Sequence, residues 1–302
     1  MNAQARSFVL PSAAVVLFAI LPWVMPRFLT FEFAFAGAYA IAILGLVVLT
    51  GTNGQISLGH GAFMAVGGYT LAILAEAWNW PPELTFPVAA VVAFVLGGIV
   101  GLVALRLSGA YLALATFALA VAVPPLIKRF ASVIGGAQGV TLMFSRDSRI
   151  LYAEAWGIAA LLILVTWFML RGRIGRSLRA LRDNEIAAVS FGINPVGYKT
   201  FAFALSAAYA GIAGALVGTA TAYVSPETFE LQLSLTLVIG LVIGGLGSLW
   251  GAVIGALVVE FLPLLSQLVN PAASSLIYGI ALILVMILVP GGVVGALRTL
   301  RR

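Results

Sequence analysis

The chain has 302 residues, 62% of them hydrophobic and only 9% charged, with a mean hydropathy of +1.13. A soluble domain carries roughly 25% charged residues, so this much apolar surface needs lipid as its solvent, which leaves no room for a soluble catalytic domain. There is no cysteine and one histidine, His60, which excludes disulfides, thiol chemistry and a multi-histidine metal site, and the net charge of +6 reads as orientation charge rather than a nucleic-acid surface.

Ten apolar segments follow one another, near 8–26, 33–50, 56–76, 86–106, 110–127, 153–170, 199–222, 231–246, 250–266 and 273–290. They predict an all-α, polytopic membrane protein with about ten transmembrane helices, a single domain over 1–302. The first segment is too long, and too poor in a cleavage pattern, for a removed signal peptide, so it counts as a span. The third begins badly for a lipid-facing helix, because residues 51–63 read GTNGQISLGHGAF. Backbone this polar and glycine-rich fits a membrane only as a broken or re-entrant segment buried in protein. Thr52, Asn53, Gln55, Ser57 and His60 place neutral hydrogen-bonding groups there, and Gly59 with its neighbours frees backbone N–H groups. Such a lining suits a transient zwitterion, which makes the stretch a candidate substrate pathway. The alternative is a tight turn that satisfies only itself, with His60 as a packing histidine.

After segment five, the connection at 128–152 has room for a small helix facing a partner. Glycines four apart recur at Gly97/Gly101, Gly214/Gly218, Gly240/Gly244, Gly247/Gly251 and Gly251/Gly255. Small residues at that spacing let helix backbones approach closely where lipid supplies no hydrophobic drive between helices, so a tightly packed, Gly-rich bundle is expected. Between segments six and seven comes the one long polar stretch, RGRIGRSLRALRDNEIAAVSFGINPVGYKT at 171–200. Within it Arg176–Ala188 is predicted as a helix with Leu178, Leu181 and Ile186 on roughly one face, stopped by Gly192, Asn194 and Pro195. Its arginines suit lipid headgroups. Anionic lipid would repel Asp183 and Glu185, which favours a docking knob for a soluble partner. Residues 192–200 look like a phosphate-binding loop with one residue inserted. That motif needs Lys directly after its last Gly, so no nucleotide contact is expected.

With both termini and this loop on the cytoplasmic side, that side holds Arg6, Arg106, Arg171, Arg173, Arg176, Arg179, Arg182, Lys199, Arg298, Arg301 and Arg302. The outer side keeps Arg27, Lys128, Arg129, Arg146 and Arg149, a bias in the direction of positive-inside orientation. No charged residue occupies the middle of an apolar segment; Glu260 comes nearest and reads as a polar group near the outer interface. Ion-coupled carriers usually need an intramembrane charge, and membrane enzymes need clustered histidines, cysteines or acids. Both classes are disfavoured, and the energy source is expected outside this chain.

Four ordered stretches carry a family resemblance: TNGQISLGHGAFMAVGGY from Thr52, GRSLRALRDNEIAAVSFGINPVGYKT from Gly175, YVSPETFELQLSLTLVIGLVIGGLGSLWGAVIGA from Tyr223, and IYGIALILVMILVPGGVVG from Ile277. Together they resemble the LivM-type permeases of branched-chain amino acid ABC importers, from about residue 38 to 297. The resemblance implies a subunit of the bacterial inner membrane that does no covalent chemistry. It implies as partners a LivH-type sister permease, two cytoplasmic ATPases that bind ATP and Mg, and a periplasmic or lipid-anchored binding protein; no cofactor is expected in this chain and no nucleic acid as partner. By resemblance the ATPase docks on the 171–198 coupling loop, with Arg179, Arg182, Asp183, Asn184, Glu185, Ala188 and Gly192 as the contact set. Related urea permeases share the first and third stretches, so another small polar solute is the alternative substrate.

Overall fold

The computed structural model describes residues 21–104, 107, 109–129, 136–144, 146–269, 273–288, 292, 293 and 295. Eight helices among them are long and apolar enough to cross a membrane, and the chain is an all-α, multi-pass membrane protein. The expected first span, 8–26, lies outside the described residues except for its last few.

In chain order the long helices are α1 (Arg27–Leu46), α2 (His60–Trp78), α3 (Pro82–Ala104), α4 (Ala110–Arg129) and α5 (Ser148–Arg171). Two short helices follow, α6 (Arg173–Asp183) and α7 (Glu185–Ser190), and then α8 (Pro195–Thr221), α9 (Leu231–Gly244), α10 (Leu249–Val269) and α11 (Ser274–Leu288). Helix α8 is the mast of the bundle: 89% of its apolar window is buried, against 22% for α5. It packs on α1, α2 and α3, while α1 also meets α5 and α10. A face that packs inside protein on all sides cannot carry large side chains everywhere. A Cβ on Gly67 of α2 would overlap the carbonyl oxygen of Gly211 in α8, and one on Gly214 would overlap that of Met64. The two helices therefore touch backbone to backbone, which only glycine permits at these positions.

Two expectations change. Segment two starts earlier, at Arg27, and does not stop at residue 50: α1 continues into a π-helical turn, Val47–Thr52. The wide turn shifts the hydrogen-bond register, with Asn53 N donating to Val48 O at 3.2 Å. Segment three does not begin at 56; residues 53–59 are irregular, with Asn53, Gln55, Ser57 and Gly59 buried and Gly54 and Ile56 exposed, and α2 starts only at His60. In the connection at 128–152, where a small helix was expected, residues 130–135 and 145 lie outside the described residues; the described part holds a 3₁₀ turn (Gly136–Gln138) and a two-residue strand β1 (Val140–Thr141). Strand β1 pairs antiparallel with β2 (Tyr223–Val224) just after α8. Lys128 at the end of α4 reaches Glu227 in the following turn at 3.7 Å, closing that end of the bundle.

Candidate functional site

The first candidate region is the buried bend between the π turn and α2. Its chain climbs from one end of the bundle to the middle of the mast. His60 Nε2 lies 2.7 Å from Ser206 Oγ, and Ser206 stands midway along α8, ~16 Å from its start at 1.5 Å per residue. Leu58 N donates to Thr116 Oγ1 of α4 at 2.9 Å, and Gly61 N donates to Ser234 Oγ of α9 at 2.8 Å. Thr52 donates to Val47 O, Asn53 Nδ2 to Gln55 Oε1, and Ser57 Oγ accepts from Gly59 N. Thr52, Asn53, Gln55, Ser57 and His60 are all buried, and a Cβ on Gly59 would come within 3.0 Å of Thr116 O. The structure thus brings the six candidate pathway residues together inside the subunit. Irregular backbone is tolerated there because neighbouring helices supply its hydrogen bonds. Two atoms of the stretch have no partner, Asn53 Oδ1 and His60 Nδ1.

The second candidate region is the loop between α5 and α8. The predicted helix Arg176–Ala188 is in fact two helices, broken at Asn184, whose backbone is extended (φ −158°, ψ 104°). The cause is capping: Asn184 Oδ1 accepts from Ala187 N at 3.0 Å, and Asn is among the strongest N-caps. A cap restarts the helix in a new direction, so the apolar stripe does not continue. Leu178 and Leu181 stay buried against the bundle, but Ile186 turns outward and is 83% exposed. Phe191 beside it is 85% exposed. Ala188 is buried and Gly192, at φ +79°, reverses the chain after α7. Glu185 pairs with Lys199 at 2.6 Å. Sequence reasoning set Ile186 with the buried stripe and passed over Phe191. The Asn184–Glu185 step, a cap followed by an acid, was the signal that would have moved them.

Three arginines of this loop reach back to backbone carbonyls. Arg179 donates from both terminal nitrogens to Leu170 O at the end of α5, at 3.2 Å each, and Arg176 to Arg171 O at 3.2 Å. Arg182 donates to Gly51 O of the π turn at 2.8 Å. Each supplies a donor to carbonyls that a helix end leaves unpaired. Asp183, Asn184, Glu185 and the apolar pair are exposed, as are Arg173, Ala187, Val189 and Ser190. Glu260, outside both regions, packs beside Glu32 of α1.

A transport scaffold is what remains when this geometry is set beside known sequences. The model of the family described as branched-chain amino acid transport system / permease component matches residues 29–286. The chain belongs to this permease family. It is 32% identical to the high-affinity branched-chain amino acid transport system permease protein LivM of Salmonella typhimurium, over 84% of this chain and 67% of that protein. It is 26% identical to the ribose import permease protein RbsC of Haemophilus influenzae, over 86% and 84%. To LivH of Escherichia coli it is 25% identical, over 85% and 91%. No solved structure matches it. Among the described residues no three His, Cys, Asp or Glu are grouped so as to hold a metal ion.

Proposed function

We propose that this permease is the membrane-spanning half of an ATP-driven importer for branched-chain or similar small amino acids. It pairs with a LivH-type sister subunit, two cytoplasmic ATPases and a binding protein delivered to the outer face. ATP and Mg belong to the ATPases. The chain crosses the inner membrane ten times, with both termini and the 171–198 loop in the cytoplasm, and folds as one domain. The observation that carries the reading is the exposed pair Ile186 and Phe191 on α7 and its exit. Two large apolar side chains more than four-fifths exposed in the charged loop of a permease fit an apolar pocket on a soluble partner. Asp183, Asn184 and Glu185 form the polar rim of that contact.

The solute passes along the buried bend. Here Asn53 Oδ1 and His60 Nδ1 are free to bond a passing zwitterion when the surrounding helices part. The bend is closed in this conformation, as alternating access requires of one face at a time. The similarity to a ribose import permease supports a second reading, in which the solute is another small polar molecule. The test is uptake of labelled leucine into proteoliposomes containing the permease with its partner subunits. Accumulation should require ATP on the loop side and the binding protein on the other. Accumulation driven by a proton or sodium gradient without ATP would overturn the proposal, and ATP-driven uptake of a sugar or urea but not leucine would favour the second reading.

A further inference from the structure

Three pieces of the permease meet at Gly51. The π turn ends there, and its last carbonyls lack helical partners because the register has already slipped: Gln55 N goes back to Leu49 O at 3.1 Å. The turn between α9 and α10 presses on it from one side, since a Cβ on Gly51 would overlap Leu246 O. From the other side comes Arg182 of α6, whose Nη1 donates to Gly51 O at 2.8 Å. The same guanidinium uses Nε and Nη2 to hold Asp183 Oδ1, both at 3.1 Å. Its aliphatic stem lies on Gly54, where φ is +77° and an added Cβ would come within 2.7 Å of Arg182 Cγ. One side chain therefore bridges an exposed carboxylate on the loop and the buried start of the polar bend.

We infer that Arg182 is the positioning residue that joins the coupling loop to the pathway: its guanidinium ties Asp183, at the partner-facing surface, to the Gly51 carbonyl at the end of the π turn. This rests on the docking proposed above and adds to it. The residue does not meet the partner; it turns a displacement of the loop into a displacement of residues 51–55. A planar fork with five donors can serve both ends at once, and its geometry resists bending. The element it pulls is suited to the task, because π-helical turns are rare and recur at functional sites. From Thr52 the chain leads directly to Asn53 and, through the irregular stretch, to His60, which meets Ser206 of the mast.

The test uses the whole complex with its ATPases, carrying Arg182→Gln, Arg182→Lys or Asp183→Asn. With Arg182→Gln the ATPases should still co-purify and hydrolyse ATP, while amino acid moved per ATP falls about tenfold or more, within the usual range of coupling between sites. Arg182→Lys, a single point of charge, should recover only part of the loss. Hydrogen exchange at residues 50–56 should respond to nucleotide in the native complex and cease to respond in Arg182→Gln, a change that a merely structural arginine would not produce. Unchanged transport per ATP, or an unchanged exchange response, overturns the joint and leaves docking intact. Loss of the ATPases from Arg182→Gln also overturns it, since the residue would then be part of the contact itself. Failure of the native chain to retain ATPases is a failure of the docking proposal instead. Should Arg182→Gln not accumulate in the membrane, Asp183→Asn decides by the exchange response at residues 50–56 in complexes that retain their ATPases, and a response at the native level sinks the inference.

Discussion

The buried bend and the α6–α7 loop break the rules of their solvents in opposite directions. The bend holds Thr52, Asn53, Gln55, Ser57 and His60 inside a bundle that sits in lipid. The loop holds Ile186 and Phe191 exposed outside the long helices. The bend has nearly completed itself: Thr116, Ser206 and Ser234 from three other helices meet its polar groups, and two of its buried side-chain atoms, Asn53 Oδ1 and His60 Nδ1, are left over. The loop has not, and nothing in the described part of the chain covers its apolar pair. A polar group in lipid must be satisfied from within, because the solvent offers no substitute. An apolar group in water is tolerated at modest cost until something arrives to cover it. Misplaced polarity therefore marks an internal device, and misplaced apolarity marks an external contact.

That contrast can be broken most severely at the interior. Gly67→Leu would drive a side chain into the Gly211 backbone of the mast. Overpacking alone costs roughly 1–3 kcal/mol, and backbone cannot repack, so the subunit should fail to accumulate in membranes. Quantitative blotting of the membrane fraction checks this; native levels would mean α2 and α8 are not packed as described. Next comes the loop. Ile186→Asp with Phe191→Asp should leave accumulation and detergent melting unchanged while the ATPases no longer co-purify. Covering each side chain is worth about 1.5 kcal/mol or more, so the pair accounts for about a hundredfold in affinity. Retained ATPase would move the contact elsewhere. The smallest effect belongs to His60→Ala. It strands the Ser206 hydroxyl, and hydrogen bonds between membrane helices average about 0.6 kcal/mol. A drop of a few degrees in melting temperature is expected with assembly intact. Loss of the ATPases in this variant would erase the distinction between the two regions.

Much of the loop was legible in the sequence as composition and little of it as direction. Its charge, its length and its position after segment six follow from hydropathy. Which side chains face the partner does not. A single cap at Asn184 rotates everything after it, so that Ile186 leaves the Leu178–Leu181 stripe, while long arginine side chains reach back to carbonyls on α5 and the π turn. For the bend, the residue types announced broken backbone correctly. Its start was misjudged because the π turn carries apolar residues, VVL, that look like ordinary helix.

What the sequence determined by itself was the solvent and the kind of structure. Long apolar runs demand lipid, and lipid demands that every backbone group be bonded within its own segment, so helices follow from local pattern alone. What only the tertiary structure decided was who meets whom. His60 finds Ser206 across 146 residues and Gly61 finds Ser234 across 173. Arg182 finds Gly51 across 131. Pairings at such separations depend on how helices pack, and packing is set by many small contacts at once rather than by the spacing of any one stretch.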